Sequence, residues 1–237
     1  MLGSIEESRN RAHRLSEPAV KALKEAQYWG RFASSYDRDG EYVVGHSILE
    51  AILERLSEER NLGDALEFGC GTGYFTRALA GQARQVIATD LSDEMLQVAR
   101  TQLSEYYNVT VQKADCAITD FPADRFDTVL LANLVHVIAN PLPCLLESYR
   151  ILKRAGLLIV VDLTGYRLGI GRTVSLGWRY VRRWGRPPRQ GRHDLSPEEL
   201  ACLVTSAGFN IEGVQLLEGG SNALYLRGLK PAKLPII

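Results

Sequence analysis

Apolar positions along the 237-residue chain recur with two periods. Short runs with almost no polar breaks, such as Val86-Ile87-Ala88 and Val129-Leu130-Leu131-Ala132, have the length and composition of strands buried on both faces. Between them lie longer stretches with apolar residues three and four apart, as in amphipathic helices. In chain order the pattern predicts a helix from Glu17 to about Tyr36, with Pro18 in its first turn, and a second over about Glu41–Ser57, with Ile48, Ile52 and Leu56 on one face. A first strand ends at Phe68, a helical pattern with Phe75, Leu79 and Ala80 follows, and a second strand runs from Gln85 to Thr89. Ser92 caps a helix whose buried stripe is Met95, Val98, Ala99 and Leu103. Further strands are predicted at Val109–Gln112, Phe126–Ala132 and Leu157–Asp162, with a helix over about Pro141–Lys153 between the last two. Ser196 and Glu199 form a capping box with Pro197 at the first helical position, and strands at about Asn210–Leu217 and Asn222–Leu229 close the chain. Strands alternating with helices are the pattern of an α/β fold.

The first strand runs into Glu67-Phe68-Gly69-Cys70-Gly71-Thr72-Gly73, with three glycines at alternate positions. Strand, glycine turn and helix make the opening unit of a nucleotide-binding fold, and the missing Cβ atoms let a cofactor lie against bare backbone. A dinucleotide fingerprint would place its third glycine where this chain has Tyr74, which disfavours a nicotinamide oxidoreductase.

This segment resembles the first motif of the class I S-adenosylmethionine (SAM) dependent methyltransferases. The aromatic stretch Tyr28-Trp29-Gly30-Arg31-Phe32-Ala33-Ser34-Ser35-Tyr36-Asp37 is similar to the lid segment of the small-molecule, ubiquinone- and menaquinone-biosynthesis type. The resemblance implies a Rossmann-like, seven-stranded, mostly parallel sheet with helices on both faces and an antiparallel last strand. It implies SAM as cofactor, with Glu67, Gly69, Cys70, Gly71 and Gly73 around it and Tyr28 and Tyr36 in the lid. Asp90, at the end of the second strand, would accept hydrogen bonds from both ribose hydroxyls, and Leu91 and Met95 would flank the adenine. Asp115 and the amide of Cys116 would take the adenine edge, and Asn133 completes the cofactor set at the end of the fourth strand.

Asn133-Leu134-Val135-His136-Val137-Ile138-Ala139-Asn140-Pro141 resembles the family's acceptor-side turn, with Val135 in place of a histidine. His136 is the general-base candidate, because imidazole titrates near neutrality; Tyr166 and His193 are the alternatives. A metal-dependent enzyme of this fold would want a carboxylate where Ala132-Asn133 stands, so no catalytic metal is expected.

Composition narrows the partners. Lys and Arg balance Asp and Glu at 28 each, so no overall field favours nucleic acid, and the expected partner is a small-molecule acceptor. The cysteines at 70, 116, 144 and 202 are scattered and suit a reduced, cytoplasmic protein without a zinc site. The N-terminus is too polar for a signal peptide, and no apolar run approaches the roughly 20 residues needed to span a bilayer.

Charge is uneven in one place. Tyr166 to His193 holds eight arginines (167, 172, 179, 182, 183, 186, 189 and 192) and no Asp, Glu or Lys, while the rest of the chain has 20 basic residues against 28 acidic. Trp178, Val181 and Trp184 at near-helical spacing give this segment an apolar face, and Trp178 and Trp184 are expected to wall the acceptor pocket. Its arginines have three candidate partners: carboxylates elsewhere in the chain, an anionic acceptor, or an anionic membrane touched peripherally to collect a lipidic acceptor. The organisation expected is an N-terminal segment and aromatic lid helix (1–37), a SAM-binding core (38–165), an Arg-rich cap (166–193) and the C-terminal part of the core (194–237). A nucleic-acid or tRNA-directed methyltransferase using the arginines and a catalytically silent SAM-fold binding protein are the alternative functions. Oligomeric state and the methylated element stay open at this level.

Overall fold

The computed structural model describes residues 17–185 and 194–232. Helix α1 (Glu17–Gly30) and a 3-10 turn (Ala33–Ser35) lead to α2 (Tyr36–Val44) and α3 (His46–Ser57). Then come β1 (Asp64–Phe68), α4 (Thr76–Ala80), β2 (Gln85–Asp90), α5 (Asp93–Gln102), β3 (Val109–Lys113) and β4 (Phe126–Ala132). The second half is α6 (Leu142–Ile151), β5 (Leu152–Thr164), α7 (Ile170–Trp184), α8 (Pro197–Ser206), β6 (Asn210–Glu218) and β7 (Asn222–Leu229).

The seven strands form one sheet in the order β3-β2-β1-β4-β5-β7-β6. The first five pair in parallel, and β7 runs antiparallel to both β5 and β6. The resemblance-based expectation of a mostly parallel, Rossmann-like sheet with an antiparallel last strand therefore holds. Leu66, Leu130 and Leu131 are fully buried at the sheet's centre, and each such side chain contributes about 1.5–3 kcal/mol of transfer free energy. One apolar cluster joins α2, α3 and α7 to one face of the sheet, and another joins α6 and α8 to the other. Strand order reverses at β1, which has β2 on one side and β4 on the other, and ligands of such sheets bind beyond the strand ends at that switch.

Two expected helices are interrupted. The helix predicted from Glu17 to Tyr36 ends at Gly30, where a Cβ would stand 2.6 Å from a Glu94 carboxylate oxygen and 2.7 Å from the Ser92 hydroxyl. The helix predicted over Glu41–Ser57 is broken at Gly45, whose φ of +97° excludes helical backbone and whose Cα side packs on Gly220. Strand β5 starts earlier than expected, at Leu152, which pairs with Phe126 across a register shift. Both predicted caps form: the Ser92 hydroxyl accepts from the Met95 N–H, and Ser196 and Glu199 make a reciprocal capping box. His193, Arg186, Arg189 and Arg192 lie outside the described residues.

Candidate active site

The glycine turn after β1 is held by the acidic end of β2. Asp90 accepts the Gly71 N–H at 3.0 Å on one carboxylate oxygen and the Ser92 N–H at 2.8 Å on the other. Burial pushes the Asp90 carboxyl above its usual range, and these N–H donors work against that. The three glycines have different surroundings. A Cβ on Gly71 would meet nothing within 4 Å, so this residue faces open space, whereas one on Gly73 would strike Leu103 at 2.7 Å. Gly71 lines the cavity beside the turn and Gly73 does not.

Glu67 and Cys70 also lie behind the turn, outside the cavity lining. Cys70 packs with Ala88, Leu96 and Ala99, and burial pushes its thiol well up. Glu67 is 1% exposed and accepts the Thr76 hydroxyl at 2.5 Å. Burial raises its carboxyl to about 7, the Thr76 hydrogen bond opposes this, and the nearby Asp90 charge adds to it.

The cavity measures about 470 Å³ and extends from this turn over the ends of β1, β4 and β5. It brings together most of the predicted cofactor set: Tyr36, Gly69, Gly71, Asp90, Leu91, Met95, Asp115, Cys116 and Asn133. Asn133 follows β4 with φ of +53°, held by its N–H to the Val161 carbonyl at 2.7 Å. Its side-chain oxygen is buried without a hydrogen-bond partner, an arrangement that costs free energy unless a ligand donor meets it. The space at Gly71, the carboxylates of Asp90 and Asp115 and this free acceptor fit a cofactor rich in hydroxyl and amino donors, as SAM is. The Asp115 carboxylate presently accepts the Ala117 N–H at 2.9 Å.

An aromatic cluster from three helices borders the cavity. Tyr36 stacks on Trp184 with ring centroids 5.7 Å apart, and Trp29 meets both rings edge-on. Burial pushes the Tyr36 phenol well above its ordinary value, and the Asp90 and Asp37 charges push the same way. Asp37, next to Tyr36, accepts from the Thr72 hydroxyl in the glycine turn and from the Gln102 amide at 2.9 Å, which fastens this cluster to the turn. Tyr28 is not on the cavity lining, and its hydroxyl donates to the Trp184 carbonyl at 2.8 Å, fastening α1 to the end of α7. Trp29, Asp37 and Tyr180 join the lining without having been in the predicted set. The expected tryptophan wall is half corrected. Trp184 is buried in it beside Tyr180, four residues earlier on the same helical face, whereas Trp178 lies off that face and is 58% exposed.

His136 lines the same cavity, with Nδ1 2.5 Å from Asp162 Oδ1. The His136 backbone N–H donates to the other Asp162 oxygen at 3.1 Å. Asp162 is 2% exposed; burial pushes its carboxyl up, and the His136 contacts hold it down. With Nδ1 engaged, Nε2 is the ring nitrogen left for the cavity. Glu25 of α1 also lines it, its carboxyl raised by burial to about 7 against the pull of an Ala139 backbone hydrogen bond. Tyr166 does not line the cavity; its carbonyl accepts from the Asn222 amide at 3.0 Å.

A seven-stranded sheet of this order, with a glycine turn and an acidic residue at the adjoining strand end, defines the class I SAM-dependent methyltransferase fold. Residues 66–160 match the family model described as a methyltransferase domain. A demethylmenaquinone methyltransferase of Tropheryma whipplei is 29% identical over 224 residues, covering 84% of this chain and 90% of the relative. A ubiquinone/menaquinone biosynthesis C-methyltransferase of Pseudomonas aeruginosa is 26% identical over 238 residues, covering 89% and 90%. A crystal structure of a SAM-dependent methyltransferase from Thermotoga maritima superposes with a TM-score of 0.68 at 24% identity, covering 87% of this chain and 99% of that one. The chain is a SAM-dependent methyltransferase, and S-adenosylmethionine is its cofactor.

Proposed function

We propose that this enzyme methylates a ring carbon of a hydroxylated quinol-type small molecule, with His136 as general base. The observation that carries the reading is the Asp162 clamp on His136, placed on the wall of the cavity that Gly71 and Asp90 also line. Relatives named for demethylmenaquinone and for ubiquinone/menaquinone C-methylation support a quinol ring as acceptor. Asp90 would hold the SAM ribose, Leu91 and Met95 the adenine faces, and Asp115 with Cys116 the adenine edge. SAM supplies an electrophilic methyl group when bound.

The protein's own contribution is alignment, dryness and one proton transfer. A carboxylate on Nδ1 fixes the imidazole tautomer in which Nε2 carries the lone pair, so Nε2 can accept the acceptor's hydroxyl proton. The ring carbon beside the resulting oxyanion becomes the nucleophile. As the new carbon–methyl bond forms, the methyl–sulfur bond would break and S-adenosylhomocysteine would leave; that carbon's own hydrogen then departs as a proton to solvent and the aromatic ring is restored. Trp29, Tyr36, Tyr180 and Trp184 line the cavity and would supply flat apolar surface for a ring.

The test is turnover with isotopically labelled SAM against demethylmenaquinol and a panel of simpler hydroxylated rings, read by mass spectrometry. Carbon-bound label on a quinol ring is the expected product. Label appearing only on amines or thiols overturns the reading.

A further inference from the structure

Helix α7 carries two apolar faces. One, with Leu176, Tyr180 and Trp184, lines the cavity. The other carries Ile170, Val174, Trp178 and Val181, which are 86, 66, 58 and 50% exposed. At 3.6 residues per turn these four fall within an arc of about 80°, so they form one continuous stripe. Large apolar side chains aligned over three turns are not the scattered exposure of an ordinary surface. Among the described helices α7 is the most strongly amphipathic.

The stripe is bordered by charge of one sign. Arg182 borders it at about 40° from Trp178, and Arg179 and Arg172 follow further round the helix, toward the face opposite the stripe. Arg182 lies over the Trp178 ring at 5.1 Å. Arg172 and Arg179 are anchored to carbonyls, of Gly219 and Tyr42. Among the described residues only Arg183 of this helix pairs with a carboxylate, Asp39 at 3.5 Å. No described carboxylate meets the charge of the other three; Arg182 stands at the stripe's edge, while Arg172 and Arg179, the latter with its Nε buried, reach back to the body of the protein.

The geometry points to this face as a docking surface for an anionic lipid bilayer, on which α7 lies in the headgroup region with its stripe in the acyl boundary. A helix lying in that plane needs an apolar stripe with cations beside it, and anionic headgroups complement the Arg182 guanidinium at the stripe's edge, with Arg179 and Arg172 adding positive charge behind it. A second copy of the chain is a poorer occupant, because a two-fold interface would set arginines against arginines. Among the described residues no helix is long and apolar enough to cross a membrane, so the contact is peripheral. Gly177 sits between the stripe and the cavity face, lines the cavity, and would carry a Cβ into empty space. No side chain at that position separates the bilayer side from the cavity. That the cavity takes its acceptor from the lipid phase rests on the function proposed above; the docking does not.

The experiment is cosedimentation of the full chain with phosphatidylcholine vesicles, with and without one-third phosphatidylglycerol. Binding to the anionic vesicles that weakens with added salt is expected. The Val174→Asp/Trp178→Ser double variant should lower it at least about tenfold, and Arg179→Gln/Arg182→Gln should abolish the preference for anionic lipid. Calorimetric binding of S-adenosylhomocysteine, unchanged in both variants, shows that they are folded. No vesicle binding at low salt, or binding that neither double variant alters, overturns the docking. So does a solution dimer by ultracentrifugation that Val174→Asp/Trp178→Ser dissociates, since the face would then belong to a second copy. Vesicle binding by an enzyme that methylates no quinol overturns the proposed acceptor and leaves the docking standing.

Discussion

Asp162 holds His136 at two atoms: one carboxylate oxygen is 2.5 Å from Nδ1, and the other accepts the backbone N–H at 3.1 Å. Grip on ring and backbone together fixes the imidazole's tautomer and its position, which a single hydrogen bond would leave free to swing. His136→Ala is expected to lower kcat by about 10²–10⁴ while SAM affinity stays within about threefold. Asp162→Asn, which nearly preserves shape but can present an N–H to the ring, should also lower kcat and alter the pH–rate profile. Steady-state rates across pH, with calorimetry for the cofactor, check both. A loss below threefold at every pH for His136→Ala would remove the base, leaving an acceptor that arrives already nucleophilic.

Asp90 connects β2 to the glycine turn through the Gly71 and Ser92 N–H groups, and its carboxylate also faces the cavity. Losing hydrogen bonds to a charged acceptor costs about 1.5–3 kcal/mol, so Asp90→Ala should weaken SAM binding roughly ten- to a hundredfold. Titration calorimetry reads this directly. Unchanged affinity would move the ribose contact to another residue.

What the sequence made legible here was local, and what it hid was tertiary. The glycine turn and the two caps depend on spacing within a few residues, and each can be read without knowing the fold; Asp90 was reached through the resemblance, from its place at the end of the strand that follows the glycine turn. The end of α1 at Gly30 depends on close approach to Ser92 and Glu94, which lie more than sixty positions away. The His136–Asp162 pair spans 26 residues and is created by the parallel register that sets Ala132 beside Val161. Within the Arg-rich segment, composition marked an amphipathic helix but not its orientation. Trp178 and Trp184 are six residues apart and so lie on different faces, and only packing against Trp29 and Tyr36 shows which one is inside.

Tyr28 separates a packing role from a cofactor role. Its hydroxyl is committed to the Trp184 carbonyl at 2.8 Å, joining helices 156 positions apart in the chain. Tyr28→Phe keeps the ring and deletes that bond, leaving a buried carbonyl short of a partner, at a cost of about 1–3 kcal/mol. Chemical denaturation should show the loss, with SAM affinity nearly unchanged. A large drop in SAM affinity without a stability change would instead place the hydroxyl at the cofactor.

Glu67 links this site to the stability of the whole chain. It is buried under the glycine turn, and its carboxyl is raised from the ordinary 4.5 to about 7, chiefly by burial. A carboxyl raised in the folded state binds its proton more tightly there than in the unfolded chain. Its contribution to stability is therefore complete below the unfolded value of 4.5 and is lost as pH rises through about 7. A difference of this size corresponds to about 3 kcal/mol, or about 6–12 °C in melting temperature for a chain of this length. Glu67→Gln retains an oxygen for the Thr76 hydroxyl and cannot ionise. In cofactor-free protein scanned from pH 5 to pH 8, the wild type should lose melting temperature relative to this variant, with the gap opening most steeply below pH 7 and flattening above it. Other titrating groups, Asp90 among them, are present in both proteins and largely cancel in the difference. Melting curves that stay parallel across this range would show that Glu67 ionises in the folded protein as it does in water, and that the charge under the turn is stabilised by its surroundings.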